Sequence, residues 1–342
     1  MPSRLPVRIA FVGEAPGEEE EEKGIPLVGP SGRVFNAMLR TANLDRSDYL
    51  ITNVFDERIP DNDLKHWTVP ADEARRIGAD VLPSLPPNGY LHPERHHALA
   101  RLRGELELAR PSIIVPLGGT ALWALTGSNA ITSQRGSIQP ATLLTPGVKI
   151  LPTFHPAFVI RQWKFFSVVT ADFIRASRES AFRDIRLPKR ELLVEPTIEE
   201  IRAYLPRLLN SNLLAADIET GWGQITNIGF APDAEHAINI PFIDLRNANK
   251  SFYSLRDEYE AWKIVKQVLE SPVPKVGQNF TYDAYWLLKR MDIHTRNYIH
   301  DTRLIHHNLY PELPKDLEFM GSSYTEQGAW KTWGRRSEKR DE

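Results

Sequence analysis

Two carboxylates stand two residues apart in the stretch Leu213-Leu-Ala-Ala-Asp217-Ile-Glu219-Thr. Because side chains alternate along a strand, this spacing places Asp217 and Glu219 on one face of a predicted strand. Hard oxygen ligands of this kind suit Mg²⁺ or Mn²⁺. Two such ions about 3.5–4 Å apart can clamp the attacking water and the leaving oxygen of a phosphodiester. A pair of carboxylates alone is more often structural, so the chemistry depends on further residues downstream.

The first half of the chain carries three groups of polar residues, each directly after an apolar stretch. They are the turn Gly13-Glu14-Ala15-Pro16-Gly17, the single Asn53, and His155-Pro156-Ala157. Taken singly, each has a plain structural interpretation: a tight turn, a turn asparagine and a structural histidine. The run Glu18–Glu22 is typical of a solvated helix start, where the helix dipole favours acidic residues.

The elements that precede these groups alternate between strands and helices. Strands are predicted at Val7–Val12, Tyr49–Val54, residues 111–118 and Val148–Pro152, and helices at Ser31–Ala42, His96–Ala109 and Thr120–Leu125. This alternation predicts a mostly parallel sheet with helices on both faces. Ligands of such sheets bind beyond the carboxyl ends of the strands, where all three polar groups fall. Residues 56–93 are rich in Pro, Asp and Asn and predict a long loop or insertion.

The pattern restarts after Arg190, which places a domain boundary near residues 186–195. The predicted elements are a capped helix from Thr197 to Leu209, strands at Leu213–Ile218, Ile225–Phe230 and Ala237–Ile240, and helices at Tyr259–Leu269 and Asp283–Lys289. We therefore predict two α/β domains. Residues 1–188 form a parallel-sheet α/β/α domain, and residues 189–342 form a domain with a mixed sheet.

The bulk composition fits two soluble globular domains, with 342 residues of which 42% are hydrophobic and 25% charged. The sequence has neither an apolar run long enough for a membrane span nor a secretory signal, so we expect a cytoplasmic protein with no membrane partner. The absence of cysteine excludes disulfides, thiolate zinc sites and cysteine-ligated iron–sulfur clusters.

The net charge of −2 gives no global sign of nucleic-acid binding. Basic residues are nevertheless concentrated before and at the domain boundary. They are Arg161, Lys164, Arg175, Arg178, Arg183, Arg186, Lys189 and Arg190. This concentration is equally consistent with a DNA-binding patch and with a solvated helix face.

In this order, the three polar groups of the first half resemble the uracil-DNA glycosylase superfamily, and within it the family 4 enzymes and their phage relatives. The resemblance spans roughly residues 6–175 and includes the text that connects the groups. This text comprises Gly24-Ile-Pro-Leu-Val-Gly-Pro-Ser-Gly32, Thr52-Asn-Val, Arg110-Pro-Ser-Ile-Ile-Val-Pro-Leu-Gly118 and Gln134-Arg-Gly-Ser. It implies the glycosylase α/β/α fold and uracil-containing DNA as the substrate.

The resemblance assigns roles to two of these residues in particular. Such enzymes flip uracil out of the base stack into a pocket. Asn53 is the matching position for base recognition, because an amide offers both a donor and an acceptor to uracil. His155 matches the donor that stabilises negative charge on the departing base, a contribution of roughly 100- to 1000-fold in rate.

Further roles follow from the same resemblance. Glu14 and the surrounding turn, with Gly13, Ala15, Pro16 and Gly17, match the segment that lies against the flipped nucleotide. Glu20 matches an acidic residue that helps to hold the base or to position water. Pro156–Arg161 matches a loop that enters the duplex beside the flipped base, with Arg161 near phosphate.

Two departures from the family pattern stand out. Family 4 enzymes usually carry four cysteines that bind a 4Fe–4S cluster, whereas this chain has none. Its scaffolding must therefore come from other contacts, such as the insertion at residues 56–93. Leu27 replaces a phenylalanine that stacks on uracil, and such stacking is worth about 1–3 kcal/mol per base. Weaker base binding or an altered specificity is therefore expected.

The second half resembles the proofreading exonuclease of family A DNA polymerases and the wider DEDD nucleases. The resemblance rests on Asp217-Ile-Glu219-Thr followed by Gly277-Gln-Asn-Phe-Thr-Tyr-Asp283, and it covers about residues 195–330. It implies a mixed-sheet, ribonuclease H-like fold in which Asp217, Glu219 and Asp283 bind Mg²⁺ or Mn²⁺. Asn279 matches a substrate-side or supporting residue, and Asp301 matches a structural helix residue.

The family pattern continues with a Tyr-x-x-x-Asp motif on a later helix, and this sequence does not contain it after Asp301. Tyr324 belongs by its context to the segment before that motif. We therefore expect a C-terminally truncated exonuclease-like domain that is inactive alone. The stretch Tyr310-Pro-Glu-Leu-Pro-Lys-Asp-Leu-Glu-Phe319 is most similar to phage polymerases.

These patterns predict a DNA repair or replication protein that hydrolyses the N-glycosidic bond of deoxyuridine in DNA, joined to an exonuclease-type domain. One alternative is a non-catalytic module that binds uracil or DNA and tethers or precedes a phage-type DNA polymerase. Another is that a partner chain supplies the missing Tyr and Asp. The expected partners are uracil-containing DNA and a DNA polymerase domain or chain.

Overall fold

The computed structural model describes residues 8–247, 250–326 and 328, and the chain divides into two compact units. The first unit comprises the residues up to Leu187 and those from Glu318 onward, and the second comprises Pro188–Leu317. The division at Leu187 lies within the boundary predicted near residues 186–195. The structure differs from the predicted domain of residues 189–342 at its carboxyl end, because the chain returns to the first unit at Glu318.

The first unit is built on a five-stranded sheet. Its strands are β1 (Ile9–Gly13), β2 (Leu50–Asn53), β5 (Ile113–Pro116), β6 (Gln139–Pro140) and β7 (Lys149–Ile150), with a separate hairpin of β3 (Thr68–Val69) and β4 (Tyr90–Leu91). The strand order is β2-β1-β5-β7-β6, in which the first four are parallel and β6 is antiparallel to β7. The predicted parallel-sheet α/β fold is therefore confirmed.

Among the described residues, eight α-helices precede the second unit. They are α1 (Glu18–Lys23), α2 (Pro30–Thr41), α3 (Ala71–Ile77), α4 (His96–Ala109), α5 (Gly119–Thr126), α6 (Ile131–Gln134), α7 (Pro156–Arg161) and α8 (Phe166–Glu179). Local sequence sets several of their ends. Gly24 and Gly127 end α1 and α5 in the left-handed conformation that glycine favours. Proline occupies the first turn of α2 and α7, where its missing N–H costs nothing.

The segment of residues 56–93 is more ordered than the predicted loop. It contains α3, the hairpin of β3 and β4, and several 3₁₀ turns. Its buried side chains Leu64, Trp67 and Leu85 belong to the same apolar core as Val12 and Trp123. The segment therefore supplies part of the scaffolding that the cysteine-free sequence requires.

The second unit is built on a six-stranded mixed sheet. Its strands are β8 (Glu191–Leu193), β9 (Leu214–Gly221), β10 (Gln224–Ala231), β11 (His236–Pro241), β12 (Lys275–Gly277) and β13 (Tyr298–Asp301), in the order β13-β12-β9-β10-β11-β8. Strands β9, β10 and β11 are antiparallel, whereas β12 runs parallel to β9 and β13. The helices are α9 (Ile198–Leu209), α10 (Leu255–Leu269), α11 (Thr281–Met291) and α12 (Thr302–Leu309). This confirms the predicted mixed sheet.

A last helix, α13 (Leu317–Tyr324), follows the second unit, and its residues from Glu318 onward pack with the first unit. Phe319, Met320 and Ser322 of this helix are buried. Within the described residues, no helix combines the length and the apolar character that crossing a membrane requires.

Candidate active site

The strand order brings the three predicted polar groups of the first unit to one edge of its sheet. In the parallel register Gly13 pairs with Asn53, and a further bridge pairs Leu117 with Thr153, two residues before His155. Because β1, β2, β5 and β7 are parallel and adjacent, their carboxyl ends lie side by side. The sequence thus predicted correctly which residues meet at this edge.

Asn53 is almost completely buried, with 6% of its surface exposed. A Cβ atom at Gly13 would lie 2.3 Å from the Asn53 Oδ1, so the neighbouring strand must carry glycine here. The amide of Val54 donates to the Gly13 carbonyl at 2.9 Å, and that of Phe55 donates to the Glu14 carbonyl at 2.9 Å. The Asn53 amide group is consequently held in a narrow place between two strand ends.

Two residues of α4 support Asn53 and were not predicted. The Arg101 guanidinium donates to the Asn53 carbonyl at 2.7 Å and to the Glu105 carboxylate at 2.6 Å. Thr52 donates to the other oxygen of Glu105 at 2.6 Å. The i,i+4 spacing of Arg101 and Glu105 is the usual one for a surface ion pair on a helix, which hides this role in the sequence.

Glu14 lies half-buried at the end of β1 and accepts a hydrogen bond from the Thr120 hydroxyl of α5. Burial raises the pKa of Glu14, and the hydrogen bond from Thr120 opposes that rise. Ala15 packs against the apolar core, and Pro16 lines the cavity described below. The predicted turn therefore joins the site to the core.

Glu20 connects two glycine-containing segments. Its Oε1 accepts hydrogen bonds from the amides of Val28 at 3.0 Å and Gly29 at 2.8 Å. A Cβ at Gly17 would lie 2.7 Å from the other oxygen, Oε2. Glu20 therefore lies between the first turn and residues 28–29 and contacts both. Its side chain is buried, with 8% of the residue surface exposed.

Leu27, which replaces the expected phenylalanine, is buried and has a positive φ of 51°. This conformation is uncommon for a residue with a branched side chain. The Arg46 guanidinium holds it by donating to the Leu27 carbonyl at 2.9 Å and to the Pro26 carbonyl. A Cβ at Gly32 would lie 2.1 Å from the Leu27 carbonyl oxygen. Neither Arg46 nor Gly32 was predicted as a site residue.

His155 is the N-cap residue of α7, and its Nδ1 accepts a hydrogen bond from the Ala157 amide at 3.1 Å. Since a backbone N–H can only donate, Nδ1 carries no proton and the neutral ring is protonated at Nε2. Burial of the imidazole and the nearby Arg161 charge lower the pKa of His155 from 6.5 to about 4, against a smaller opposing effect of Glu20. The ring is therefore neutral at physiological pH.

A cavity of about 410 Å³ opens beside Asn53. Its lining includes Pro16, Glu20, Asn53, Phe55 and Arg101. Asn53, which was predicted to recognise the base, and Arg101, which was not predicted, therefore line the same cavity. A cavity of this size, with a few polar groups in its lining, lies in the range of small-molecule pockets.

The helix after His155 presents a partly apolar, partly basic surface. Pro156 is buried at the start of α7, whereas Arg161 at its end is exposed. Trp163, which follows it, has 62% of its surface exposed. Arg175 of the predicted basic group lies apart from this surface, because it is buried and donates to the Gly136 carbonyl at 2.7 Å.

In the second unit, Asp217 and Glu219 are exposed on one face of β9, as their spacing predicts. Asp283 is 4% exposed, and its Oδ1 accepts a hydrogen bond from the Ile218 amide at 2.8 Å. Burial raises the pKa of Asp283 to about 6, helped by the charges of Asp217 and Glu219. Within the described residues, no group of three or more His, Cys, Asp or Glu side chains is arranged to hold a metal ion.

Asp301 has a structural role, in agreement with the resemblance. Its carboxylate caps α12 by accepting from the amides of Arg303 and Leu304, and it also accepts from the Asn279 amide at 3.1 Å. Burial alone would raise the pKa of Asp301, but its hydrogen bonds, chiefly from Tyr298, outweigh that effect and lower it. Asn279 is exposed, with the positive φ of 57° that asparagine tolerates.

Comparison with known proteins agrees with this geometry. The family model described as the uracil DNA glycosylase superfamily matches residues 3–176. A type-4 uracil-DNA glycosylase of Thermotoga maritima is 36% identical over 159 residues, which are 46% of this chain and 68% of that protein. A DNA polymerase of Bacillus phage SP01 is 23% identical over 87% of this chain and 32% of the polymerase.

Among solved structures, the catalytic core of RRP6 from Trypanosoma brucei is 18% identical with a TM-score of 0.34, over 44% of this chain and 41% of that chain. That likeness is limited to less than half of either molecule. The match to the family model and the identity with the Thermotoga protein both cover the unit that carries Asn53 and His155. The chain belongs to the uracil DNA glycosylase superfamily.

Proposed function

We propose that this chain hydrolyses the N-glycosidic bond of deoxyuridine in DNA, with the uracil flipped into the cavity beside Asn53. The observation that carries the proposal is the hydrogen bond from the Ala157 amide to the His155 Nδ1, which leaves an N–H at Nε2 at the same sheet edge as Asn53. The type-4 glycosylase relatives support the same substrate class.

The reaction breaks the bond between C1′ of the sugar and N1 of uracil, and the electron pair of that bond passes to the base. Water adds to C1′, so the products are free uracil and an abasic site. Negative charge develops on the departing uracil, and the Nε2–H of neutral His155 donates a hydrogen bond to it. A fixed donor of this kind, in a site shielded from water, is worth roughly 100- to 1000-fold in rate.

Asn53 is the residue proposed to recognise the base. Its amide can donate to O4 and accept from N3–H of uracil, whereas cytosine presents the opposite pattern at these two positions. Asn53 is buried with its Oδ1 close against Gly13, and Arg101 holds its backbone by donating to the main-chain carbonyl, so the amide has little room to move. Selectivity then follows from the cost of leaving a buried polar group unpaired with the wrong base.

No step is assigned to a metal ion in the second unit. One oxygen of Asp283 accepts from the Ile218 amide, and among the described residues no group of three His, Cys, Asp or Glu side chains is arranged to hold a metal ion. As arranged, these residues do not fit the two-metal chemistry that the resemblance to exonucleases implies. The glycosylase reaction needs no metal.

A second candidate is a non-catalytic module that recognises uracil or DNA ahead of a polymerase. The similarity to the phage DNA polymerase over most of this chain favours it, as does Leu27 in place of a stacking phenylalanine. Both candidates use the cavity beside Asn53, and they differ in whether His155 promotes bond cleavage.

The test is incubation of the full chain with a uracil-containing oligonucleotide in the presence of a chelator. Formation of abasic sites that is lost in Asn53→Ala and His155→Ala would support the glycosylase. Retained binding without base release would overturn it in favour of the module.

A further inference from the structure

The last helix, α13 (Leu317–Tyr324), contacts a buried arginine of the first unit. The Arg135 Nη2 donates to the hydroxyl of Ser322 at 2.6 Å and to that of Ser323 at 2.7 Å. The guanidinium also lies 4.9 Å from the centre of the Phe319 ring. Arg135 is only 2% exposed, so its charge has lost its hydration and depends on these partners.

The same arginine connects the helix to the strand end that leads to His155. The Arg135 Nη1 donates to both oxygens of Asp172, at 2.9 and 3.2 Å. Asp172 in turn accepts from the Thr153 hydroxyl at 2.5 Å. Thr153 is fully buried and lies two residues before His155, so an unbroken chain of hydrogen bonds joins the last helix to the site.

The backbone makes a second connection. The Gly136 amide donates to the Pro152 carbonyl at 2.8 Å, and the Gly136 carbonyl accepts from Arg175 at 2.7 Å. Arg175 also donates to the carbonyl of Thr325 at 3.1 Å, just past the end of the helix. A Cβ at Gly136 would lie 2.8 Å from the Ser322 carbonyl oxygen, so the helix backbone approaches as closely as glycine permits.

Aromatic side chains make a third connection, on the other side of His155. The Phe319 ring of the last helix is 6.3 Å from that of Phe165. Phe165 packs against Phe154 at 5.0 Å and Phe158 at 5.2 Å, which flank His155 in the sequence. The last helix is therefore linked to the strand end before His155 through Arg135 and Asp172, and to the helix after it through Phe165.

We propose that α13 is a positioning element of the glycosylase site, which fixes the segment around His155 through Arg135, Asp172 and Thr153. This proposal rests on the proposed function for its effect on rate, but not for its effect on structure. It makes base release depend on residues that follow the whole second unit in the sequence. Arg135, Ser322 and Ser323 are positioning residues, because none of them faces the cavity beside Asn53.

The kinetic test uses the full chain with both Ser322 and Ser323 changed to alanine. Loss of two hydrogen bonds to Arg135 should let His155 move, and a misplacement of about 1 Å can cost up to about 100-fold in rate. We expect the single-turnover rate of uracil release to fall about tenfold while the Kd for DNA stays within about twofold. Ser133→Ala is the matched control, because among the described residues this serine hydroxyl donates to the nearby Ala130 carbonyl and makes no bond to the last helix.

A double-mutant cycle separates positioning from general damage to the fold. If the helix acts through His155, the two serine substitutions should cost little further rate once His155 is already glutamine. Full additivity of the two effects would overturn the proposal. Gly136→Ala, which displaces the helix by a different route, should reproduce the loss of rate and the same lack of additivity.

Hydrogen exchange supplies a measurement that does not depend on activity. Amides of residues 153–161 should exchange faster in the double serine variant than in Ser133→Ala, with melting temperatures recorded for each. Unchanged exchange in this segment would overturn the proposal. If the wild-type chain released no uracil at all, the proposed function would fail, while the exchange result would still decide whether the helix fixes the His155 segment.

Discussion

The candidate active site of the first unit and the acidic site of the second unit differ in the surroundings of their polar side chains. At the first, Glu14, Glu20 and Asn53 each have identified partners, and His155 has a defined tautomer. At the second, Asp217 and Glu219 are exposed on β9, whereas Asp283 is buried and accepts a hydrogen bond from the amide of Ile218, which lies between them. The polar groups of the first site are thus held in mostly buried surroundings, whereas two of the three carboxylates of the second face solvent, and catalysis depends on such preorganised surroundings.

The largest expected effect is the loss of uracil release when His155 or Asn53 of the first unit is replaced. His155→Ala or Asn53→Ala should lower the single-turnover rate of uracil release by roughly 100- to 1000-fold, since each removes a fixed polar group at the base. His307→Ala and Asn212→Ala, at exposed positions of the second unit, serve as matched controls and should leave the rate unchanged. Equal losses in the controls would contradict the assignment.

A smaller loss is expected from crowding Asn53 without removing it. Gly13→Ala puts a methyl group 2.3 Å from the present position of the Asn53 Oδ1, so the amide must move. The rate of uracil release should fall by up to about 100-fold. Gly104→Ala is the control, because a Cβ there meets nothing within 4 Å, and it should raise stability by about 0.5–1 kcal/mol. A Gly13→Ala variant with full activity would contradict the role of Asn53.

The pH dependence of the first site should lack a step at the ordinary pKa of histidine. His155 has a pKa of about 4 when folded and 6.5 ordinarily, so it stays neutral as the pH falls through 6.5. The unfolded chain takes up that proton first, and the stability that the neutral ring contributes is lost between about pH 6.5 and 4. Carbon-13 NMR of the His155 ring and the rate profile should both show titration near pH 4. A titration near 6.5 would contradict the buried, neutral ring.

The smallest effect should be that of Mg²⁺ on the second unit. A metal that bound only the folded chain would raise its melting temperature by mass action. Because no group of three metal-ligating side chains is arranged to hold an ion among the described residues, we expect no shift in melting temperature on adding Mg²⁺ and no loss of nucleotides from a DNA 3′ end. A shift that disappears in Asp217→Asn would show that the unit does bind the metal.

Much of the fold was predictable from local patterns. Helix α4 was predicted at its observed bounds, His96–Ala109, because its apolar periodicity is regular. Strand β12 was missed because Lys275–Gly277 is short and begins with a lysine. The structure buries that lysine completely and satisfies it with the carbonyls of Ser271, Val273 and Arg296, which no local pattern indicates.

The sequence predicted the residues proposed to contact the base. It did not predict the pairs of residues that hold them in place. Asn53 and His155 stand out because each is a polar residue at the carboxyl end of an apolar stretch. The Arg135–Asp172 ion pair does not, because the partners are 37 residues apart and the serines that complete it come from α13. Partners so distant in sequence are brought together by the tertiary fold, and one sequence holds no signal for that.

The most direct test of the difference between the two sites is one assay that follows both reactions at once. The full chain, His155→Ala and Asp217→Asn would each be incubated with a uracil-containing oligonucleotide and Mg²⁺, and free uracil and free nucleotides measured by mass spectrometry. We predict free uracil from the wild type and from Asp217→Asn, a loss of uracil release in His155→Ala, and nucleotides from none of the three. Nucleotides released without uracil, by a chain that depends on Asp217 and not on His155, would contradict this prediction.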